Sequence, residues 1–419
     1  MPDSNLIHPN ADVLSLRKQL LLKKQELSAL LEITQAINQD TTEEALYKIF
    51  QFTLLGQLNI RRMVVYMKEE REWQCVVSFG FQLADFKKIE LPETIIDNCT
   101  DSPCPVSRFE LGKEWQQLET IIPVVQKGTV LAYVLIGNVQ DDYANEEAAS
   151  FLQTLSNILI GAIENRRLNR QRVSAAAIRK EIEIAQEVQN MLFPSKLPND
   201  AHVAVHASYV PHTAIGGDYY DVVAIDKDKF LFCVADVSGK GVPASLLMSN
   251  FQAGLRTLLR QKADLATIVH ELNHLLFRNS GGEKFITVFF GIYDRSTRHL
   301  QYVNAGHNDP ILLPDSGPVQ YLKDGTVMLG IMEELPMLTV GETQIPPHSL
   351  LLNYTDGLTE VFNAEGEEFG EEGLISLMRR NRYLPLTGIH KQMLKEIEAF
   401  NVNKTQFSDD ITILSCRFK

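Results

Sequence analysis

The feature that most constrains the fold is a long helical pattern in the middle of the chain. Residues 145–193 repeat apolar side chains at helical spacing and contain no proline before Pro194. Helices of globular domains average roughly 10–14 residues, so a helix of this length has to join two separate parts. The chain of 419 residues is long enough for two or three domains. We therefore expect two domains and a connecting helix that ends at Phe193, because the residue before a proline avoids the helical conformation.

Two apolar seams run along the connecting helix, which we place at 151–193. The first seam consists of Leu152, Leu155, Leu159 and Ala162, and the second, which is out of phase with it, of Ile178, Ile182, Ala185 and Leu192. Seams with a phase break favour a parallel coiled coil in a homodimer, whose helices can shift register. The alternative is that both seams pack on the neighbouring domains of the same chain.

The segment before the connecting helix has the order helix, helix, strands, a variable middle and a hairpin. The spacing of apolar residues over 11–38 predicts a long amphipathic helix. Strand-like runs follow it, and the last two, TIIPVVQ and TVLAYVLIG, are joined by Lys127–Gly128. This pattern predicts a β-hairpin.

Charge and composition exclude some partners. Lys+Arg 40 and Asp+Glu 53 give a net charge of −13, which argues against nucleic acid or an anionic membrane as the main partner. No signal peptide and no run of roughly 18–20 apolar residues is present, so we expect a cytoplasmic protein without membrane insertion. The five cysteines are scattered without a C-x-x-C pair, and we interpret them as ordinary thiols: Cys75, Cys99, Cys104, Cys233 and Cys416.

The strands of the C-terminal half follow one another in adjacent runs, which predicts an antiparallel α+β domain. Aspartates stand at the ends of these strands. Asp236 ends FLFCVAD, Asp356 ends LLLNYTD, and Asp409 and Asp410 open the last strand. Two more, Asp218 and Asp221, lie in the glycine-rich segment IGGDYYDV, in which Gly216 and Gly217 shape a turn.

Converging carboxylates point to a cation. One Asp-Gly pair is an ordinary turn signal, but carboxylates from several strand ends repel one another unless a cation neutralises them. The ligands are oxygen atoms, without a nearby histidine or cysteine, and this donor set favours Mg²⁺ or Mn²⁺ over zinc.

Six motifs over residues 180–419 carry a family resemblance. They are, in order, GGDYYD, VADVSGKGVPASLLMS, FITVFFGIYD, YVNAGHNDPILL, NYTDGLTEVFN and DDITIL. In this order and at these intervals, they resemble the bacterial PPM-type serine/threonine phosphatases of the SpoIIE/RsbU class. The resemblance implies that 195–419 forms an α-β-β-α sandwich with two divalent cations, Mn²⁺ or Mg²⁺, between its sheets. It also implies hydrolysis of phosphoserine or phosphothreonine on a protein.

The resemblance further implies the roles of single residues. Asp218, Asp236, Asp356 and Asp409 would be catalytic through a metal-bound water, with Asp236 bridging the cations and the Val237 carbonyl as a further ligand. Asp410 and Asp221 are additional candidate ligands, although neighbouring side chains of one strand point in opposite directions. Candidates for contact with the substrate or for shaping the loop are Gly239, Lys240, Gly241, Thr287 and His307.

This sequence departs from the wider family near the site. Animal-type relatives have an arginine before the first acidic motif and a histidine after the second, whereas the corresponding segments here are PHTAIGGD and DVSGKG. The residue that protonates the leaving group is therefore unassigned. Met328 occupies a position where this class often has proline, and the helix pair 243–277 is a candidate switch because it follows Asp236 directly.

Residues 25–165 resemble a GAF domain in the texture and order of their segments. GAF domains often bind a small molecule against one face of the sheet. Cys75, Phe79, Phe81, Phe86 and Trp115 either line such a cavity or fill the core. The ligand-binding residues of this domain are unknown.

Together these patterns predict a sensor-regulated phosphatase. From its class, we expect the substrate to be a phosphorylated STAS-type anti-sigma factor antagonist, with a small-molecule or protein signal acting at the GAF domain. The main alternative is a catalytically silent scaffold in which the phosphatase fold only binds a partner. A metal-dependent nuclease is disfavoured by the net charge of −13 and by the absence of a basic stripe near the aspartates.

Overall fold

The computed structural model describes residues 9–39, 41–69, 72–81, 85–137, 146–401, 407 and 409–419. The chain divides into two compact units, Met1–Ala176 and Ala177–Lys419. The division falls within the helix that the sequence predicted as a connector, α4 (Glu146–Asn190). In the part of the chain described, no helix combines the length and the apolar character needed to cross a membrane.

The N-terminal unit is built on one antiparallel sheet. Its helices are α1 (Pro9–Asn38), α2 (Glu43–Gln57) and α3 (Glu93–Asn98), and its strands are β1 (Arg62–Glu69), β2 (Glu72–Phe79), β3 (Cys104–Pro105), β4 (Thr120–Gln126) and β5 (Thr129–Gly137). The strand order is β2-β1-β5-β4-β3. Apolar residues of α1, α2 and the first part of α4 pack on one face, while α3 and short 3-10 segments cover the other.

The predicted hairpin is confirmed. Strands β4 and β5 pair antiparallel up to Gln126 and Thr129, with Leu131 as one extra residue in β5 near the turn. The two residues between them, Lys127 and Gly128, have φ values of 50° and 79°. Positive φ at both central positions gives the tight turn whose twist matches that of the strands.

A bulge in β2 places the residues expected to line a sensor cavity on two different faces of the sheet. Tyr66 pairs with Cys75 and Val65 with Val77, so Val76 is the extra residue in β2. A bulge shifts the alternation of side chains by one position. Cys75 packs on one face of the sheet with Phe86 and Trp115, whereas Phe79 packs on the opposite face. Phe79 therefore does not share a face with the other candidates.

The interpretation of the cysteines as ordinary thiols is wrong for two of them. Cys99 and Cys104 form a disulfide with their Cα atoms 6.4 Å apart. Cys99 caps the end of α3 and Cys104 opens β3, so a turn of four residues returns the chain within the reach of a disulfide. Sequence spacing alone does not reveal such a return. Cys75, Cys233 and Cys416 are free thiols.

Helix α4 ends at Asn190, three residues before the predicted end at Phe193, and the two predicted seams have different surroundings. Leu152, Leu155 and Leu159 are buried in the core of the N-terminal unit, as the single-chain alternative predicted for this seam. In the second seam Leu192 packs against the core of the C-terminal unit, whereas Ile178 is 55% exposed. Only the second seam leaves an apolar position open to solvent.

The described residues of the C-terminal unit form two sheets and four helices besides the end of α4. Its strands are β6 (Val203–Val210), β7 (Tyr219–Ala224), β8 (Lys229–Val237), β9 (Ile286–Asp294), β10 (His299–Ala305), β11 (Ile311–Leu313), β12 (Gln320–Tyr321), β13 (Gly325–Thr326), β14 (Gly341–Gln344), β15 (Leu350–Tyr354) and β16 (Ile411–Phe418). Its helices are α5 (Val242–Arg260), α6 (Leu265–Ser280), α7 (Gly370–Asn381) and α8 (Leu386–Phe400). One sheet has the order β13-β10-β9-β8-β7, with β14 beside β10, and the other has the order β12-β11-β15-β16-β6.

These elements form four layers. Helices α5 and α6 pack on the outer face of the first sheet, and α7 and α8 on the outer face of the second. A third apolar cluster fills the space between the sheets. The alternation of side chains along β8 shows this arrangement, because Cys233 and Ala235 face the helices while Phe232 and Val234 face the other sheet. The predicted α-β-β-α sandwich is the observed architecture.

Candidate metal centre

Strand alternation places Asp236 between the two sheets. It follows Phe232 and Val234 on the inner face of β8, and it pairs across the sheet with Thr287 of β9. The apolar core between the sheets ends at Val234, and the next inward-facing side chain on β8 is the carboxylate of Asp236. The site therefore lies at the end of β8, where the sheets open.

Asp218 lies on the turn before β7 and is only 1% exposed. Its Oδ2 atom accepts hydrogen bonds from the hydroxyl of Thr355 at 2.8 Å and from the hydroxyl of Thr412 at 2.6 Å. The backbone N–H of Thr412 in turn donates to the Thr355 hydroxyl at 2.8 Å. Both threonines bind the same oxygen, so they hold the carboxylate in one orientation and leave its Oδ1 atom for another partner.

The carboxylates of this region raise one another's pKa. Burial, and after it Asp236, raises the pKa of Asp218 well above its usual value. Burial together with Asp356 and Asp409 raises the pKa of Asp236 to about 7. Burial and Asp409 also raise the pKa of Asp356. Four aspartates from distant parts of the chain thus share one electrostatic environment, and a divalent cation would relieve their repulsion.

The described carboxylates do not form a complete coordination shell on their own. Among the described residues, no three His, Cys, Asp or Glu side chains converge closely enough to form a complete metal-binding group. Asp409 forms an ion pair with Lys240 across 3.0 Å, and its side chain is 43% exposed. The donor chemistry suits a hard divalent cation, because every carboxylate here supplies oxygen.

Asp410 has a different task from its neighbour. Its Oδ1 accepts the backbone N–H of His212 and its Oδ2 the backbone N–H of Gly217, both at 2.7 Å. It therefore holds the turn that carries Asp218. Gly217 fits closely there, because a Cβ at this position would lie 3.0 Å from the Val237 carbonyl oxygen.

Asp221 is engaged away from the site. Its carboxylate is fully buried and binds the Arg256 guanidinium through Nε at 2.9 Å and through a terminal nitrogen at 3.1 Å. The Tyr219 hydroxyl donates a third bond at 2.7 Å. Because side chains alternate along β7, Asp221 lies on the same side as Tyr219 and faces the helices. Asp221 is therefore not placed to act as a metal ligand.

The remaining candidates lie around the Asp236 loop. Gly239 and Gly241 have φ values of 94° and 76°, a conformation that favours glycine. The Thr287 hydroxyl is 2.9 Å from Nδ1 of His307. Burial lowers the pKa of His307 to about 4, so its ring is neutral near pH 7 and poorly suited to act as a general acid.

Sequence reasoning missed the residues that orient the carboxylates. Thr355, Thr412 and Arg256 are buried or half-buried partners of Asp218 and Asp221. A weak signal was present, since Thr355 directly precedes Asp356 and Thr412 follows Asp410 by two positions.

Comparisons with known proteins agree with this architecture. The family model "Stage II sporulation protein E (SpoIIE)" matches residues 226–419. Protein IcfG of Synechocystis is 27% identical over 272 residues, which cover 58% of this chain and 42% of that protein. Phosphoserine phosphatase RsbU of Bacillus subtilis is 27% identical over 245 residues, which cover 58% of this chain and 71% of that protein.

A solved structure extends the comparison to the fold. The SiaA-PP2C domain of Pseudomonas aeruginosa superposes with a TM-score of 0.51 at 23% identity, covering 59% of this chain and 99% of that domain. The matched share is close to the length of the four-layered unit. Residues 226–419 thus match the SpoIIE family model, and the C-terminal unit has the fold of a PP2C-type phosphatase domain.

Proposed function

We propose that this chain is a cytoplasmic, sensor-regulated, metal-dependent protein-serine/threonine phosphatase. The observation that carries this function is the shared electrostatic environment of Asp218, Asp236, Asp356 and Asp409, which come from four separate segments of a PP2C-type domain. Phosphoester hydrolysis needs concentrated positive charge, and such a group of carboxylates is suited to hold it as cations.

Two divalent cations, Mn²⁺ or Mg²⁺, are part of this proposal. The four aspartates and the Val237 carbonyl would hold them. Cations bound there would lower the pKa of water and stabilise charge on the phosphoryl group. The two threonines keep Asp218 oriented, and Asp410 keeps the turn beneath it in place.

The carboxylates are tested by amide substitution. We expect the full chain with Mn²⁺ to release phosphate from a phosphoserine protein, and we expect Asp236→Asn and Asp356→Asn to reduce the rate at least about 100-fold, since each removes a charged ligand. The matched control is Asp228→Asn, at the turn before the opposite end of β8, which should retain the wild-type rate. Wild-type turnover in both site variants would refute the assignment.

The same variants separate an enzyme from a silent scaffold. Calorimetric titration with Mn²⁺ should show binding to the wild-type chain and weakened binding to Asp236→Asn. A scaffold need not bind cations at this centre. A chain that binds its phosphoprotein but neither binds Mn²⁺ nor releases phosphate would support the scaffold.

We propose a phosphorylated STAS-type anti-sigma factor antagonist as the substrate. Support comes from the resemblance of the motifs and from the relative named phosphoserine phosphatase RsbU. The test is phosphate release from a panel of phosphoserine proteins, in which the STAS-type substrate should give the highest kcat/KM.

Regulation through the connecting helix is supported by contacts at its end. Gln189 is buried and donates from Nε2 to the Gly216 carbonyl at 2.8 Å, on the turn that carries Asp218. Arg256 of α5 donates to the Leu192 carbonyl at 3.4 Å while it binds Asp221. A shift of the helix end would therefore move both the turn and α5. A signal at the GAF-like domain of residues 25–165 can change activity only to the extent that it binds more tightly to one position of the helix than to the other.

We also propose that the chain forms a homodimer through a coiled coil. The exposed Ile178 and the half-buried Ile182 and Ala185 lie on the second seam of α4. A partner helix in parallel orientation would cover them. This arrangement would let a signal change the register of α4 and thereby the contacts of Gln189.

A further inference from the structure

We propose that Lys284 is a substrate-binding residue that contacts the phosphate group. This inference rests on the proposed phosphatase function. Animal-type relatives have an arginine before the first acidic motif, and this sequence has none in the corresponding segment PHTAIGGD. Lys284 lies between α6 and β9, directly before the strand that pairs with the Asp236 segment.

The backbone beside Lys284 is fixed to the Asp236 loop. The N–H of Ser238 donates to the Phe285 carbonyl at 2.9 Å, and the N–H of Phe285 donates to the Ser238 hydroxyl at 2.9 Å. Ile286 then pairs with Val237. The position next to Lys284 is thus tied to the second residue after Asp236, so the lysine cannot drift away from this loop.

The ammonium group lies over the loop. Its Nζ is 2.8 Å from the point where a Cβ of residue 239 would be. Gly239 therefore serves two purposes, since it permits a φ of 94° and leaves room for the lysine head group. A side chain at position 239 would push the cation away from the loop.

A hollow of about 300 Å³ opens at the same place. Val237, Ser238 and Lys284 line it together with apolar residues of α5, among them Leu246, which is 62% exposed. Glu283 also lines the hollow, so the wall is not uniformly positive. A phosphorylated segment can enter this space with its phosphate near the ammonium and an apolar neighbour against Leu246.

Charge explains why such a lysine is needed. The four aspartates offset most of the positive charge of two divalent cations, so a further cation nearby would strengthen the binding of a phosphate dianion, and Lys240 is already paired with Asp409 at 3.0 Å. In the described part of the chain, the ion pairs do not include Lys284. A cation without a carboxylate partner, over the loop that follows Asp236, is suited to receive the phosphate of the substrate.

The test compares Lys284→Ala, Lys284→Arg and the control Lys391→Ala, which removes an exposed lysine on α8. With Mn²⁺ and a phosphoserine protein, we expect Lys284→Ala to lower kcat/KM by about 10-fold to 100-fold, the usual range for a charge-assisted hydrogen bond, mainly through KM. Inorganic phosphate should inhibit this variant more weakly by a similar factor. Lys284→Arg should restore most of the loss, and Lys391→Ala should match the wild type.

Two outcomes would overturn the inference. In the first, Lys284→Ala has the same KM and the same inhibition by phosphate as Lys391→Ala. In the second, Lys284→Ala weakens Mn²⁺ binding in calorimetry as strongly as it weakens turnover, which would show that the lysine acts through the cation loop. An inactive wild-type chain would instead refute the phosphatase function itself, so the two failures are distinguishable.

Discussion

The two threonines that bind Asp218 allow a sharp test of how the centre is built. Thr412→Val replaces one hydroxyl with a methyl group of similar size at a fully buried position. The variant loses the 2.6 Å hydrogen bond to Oδ2 of Asp218, while the 2.8 Å bond from Thr355 remains. We therefore expect Asp218 to stay in place but to hold its orientation less firmly.

The structure sets the size of this effect. A hydrogen bond to a charged group contributes about 1.5–3 kcal/mol, and loss of a residue that orients a ligand weakens metal binding about 10-fold to 100-fold. Because one of the two bonds survives, Mn²⁺ affinity should fall by about 10-fold. Thr355→Val should do more, because it also leaves the backbone N–H of Thr412 without its acceptor. We expect that variant to lose about 1–3 kcal/mol of unfolding free energy as well.

The assay is calorimetric titration with Mn²⁺ combined with denaturant unfolding of the metal-free chain. Thr297→Val, at the exposed turn between β9 and β10, makes the same chemical change at the far end of the sheet and is the matched control. Wild-type Mn²⁺ affinity in Thr412→Val would refute the role of these threonines. Equal losses of stability in Thr412→Val and Thr355→Val would refute the ranking.

Two further predictions concern stability and assembly. Burial and His206 lower the pKa of His390 to about 3, and its ring lies between the hydroxyls of Ser208 and Ser415 at 2.9 Å each. The folded state thus favours neutral His390. The contribution of this histidine to the free energy of unfolding is complete above about pH 6.5 and declines below it. His390 should account for about 1.4 kcal/mol of the unfolding free energy lost between pH 7.5 and 5.5, so His390→Gln should lose less than the wild type in denaturant unfolding; an equal loss in that variant would contradict this origin. Light scattering should give about twice the chain mass of 47.3 kDa, whereas a mass near 47.3 kDa would argue against the coiled coil.

Local patterns in the sequence were sufficient where neighbours along the chain decide the structure. The Lys127–Gly128 turn and the apolar strand that leads to Asp236 depend on a few adjacent residues, and both appear as predicted. These two features depend on turn chemistry and on the composition of a strand. The α-β-β-α architecture of the C-terminal unit was instead implied by the family resemblance that the motifs carry.

Contacts between distant segments were not predictable in this way. Thr355 and Thr412 meet at one oxygen of Asp218 only because β15 and β16 pair beside the turn before β7. Asp221 was expected near the cations, but Arg256, 35 residues away, binds it on the helix side. Such pairings depend on packing between layers, which no local pattern encodes.

Small irregularities were also missed. One extra residue in β2, Val76, moves Phe79 to the other face of the sheet, and nothing in EWQCVVSF marks this position as a bulge. The disulfide between Cys99 and Cys104 depends on how a short turn closes. In the first case, a one-residue change of register decides which face a side chain occupies. In the second case, the path of a short turn decides which cysteines meet.

The most direct test of the account is the rate of phosphate release from a phosphoserine protein by the full chain, measured with Mn²⁺ and again after chelation by EDTA. We predict multiple turnovers with Mn²⁺, a rate that falls to background after chelation, and recovery when excess Mn²⁺ is added back. A rate that is the same with and without the cation, or no release by a folded chain that binds Mn²⁺, would contradict the central claim.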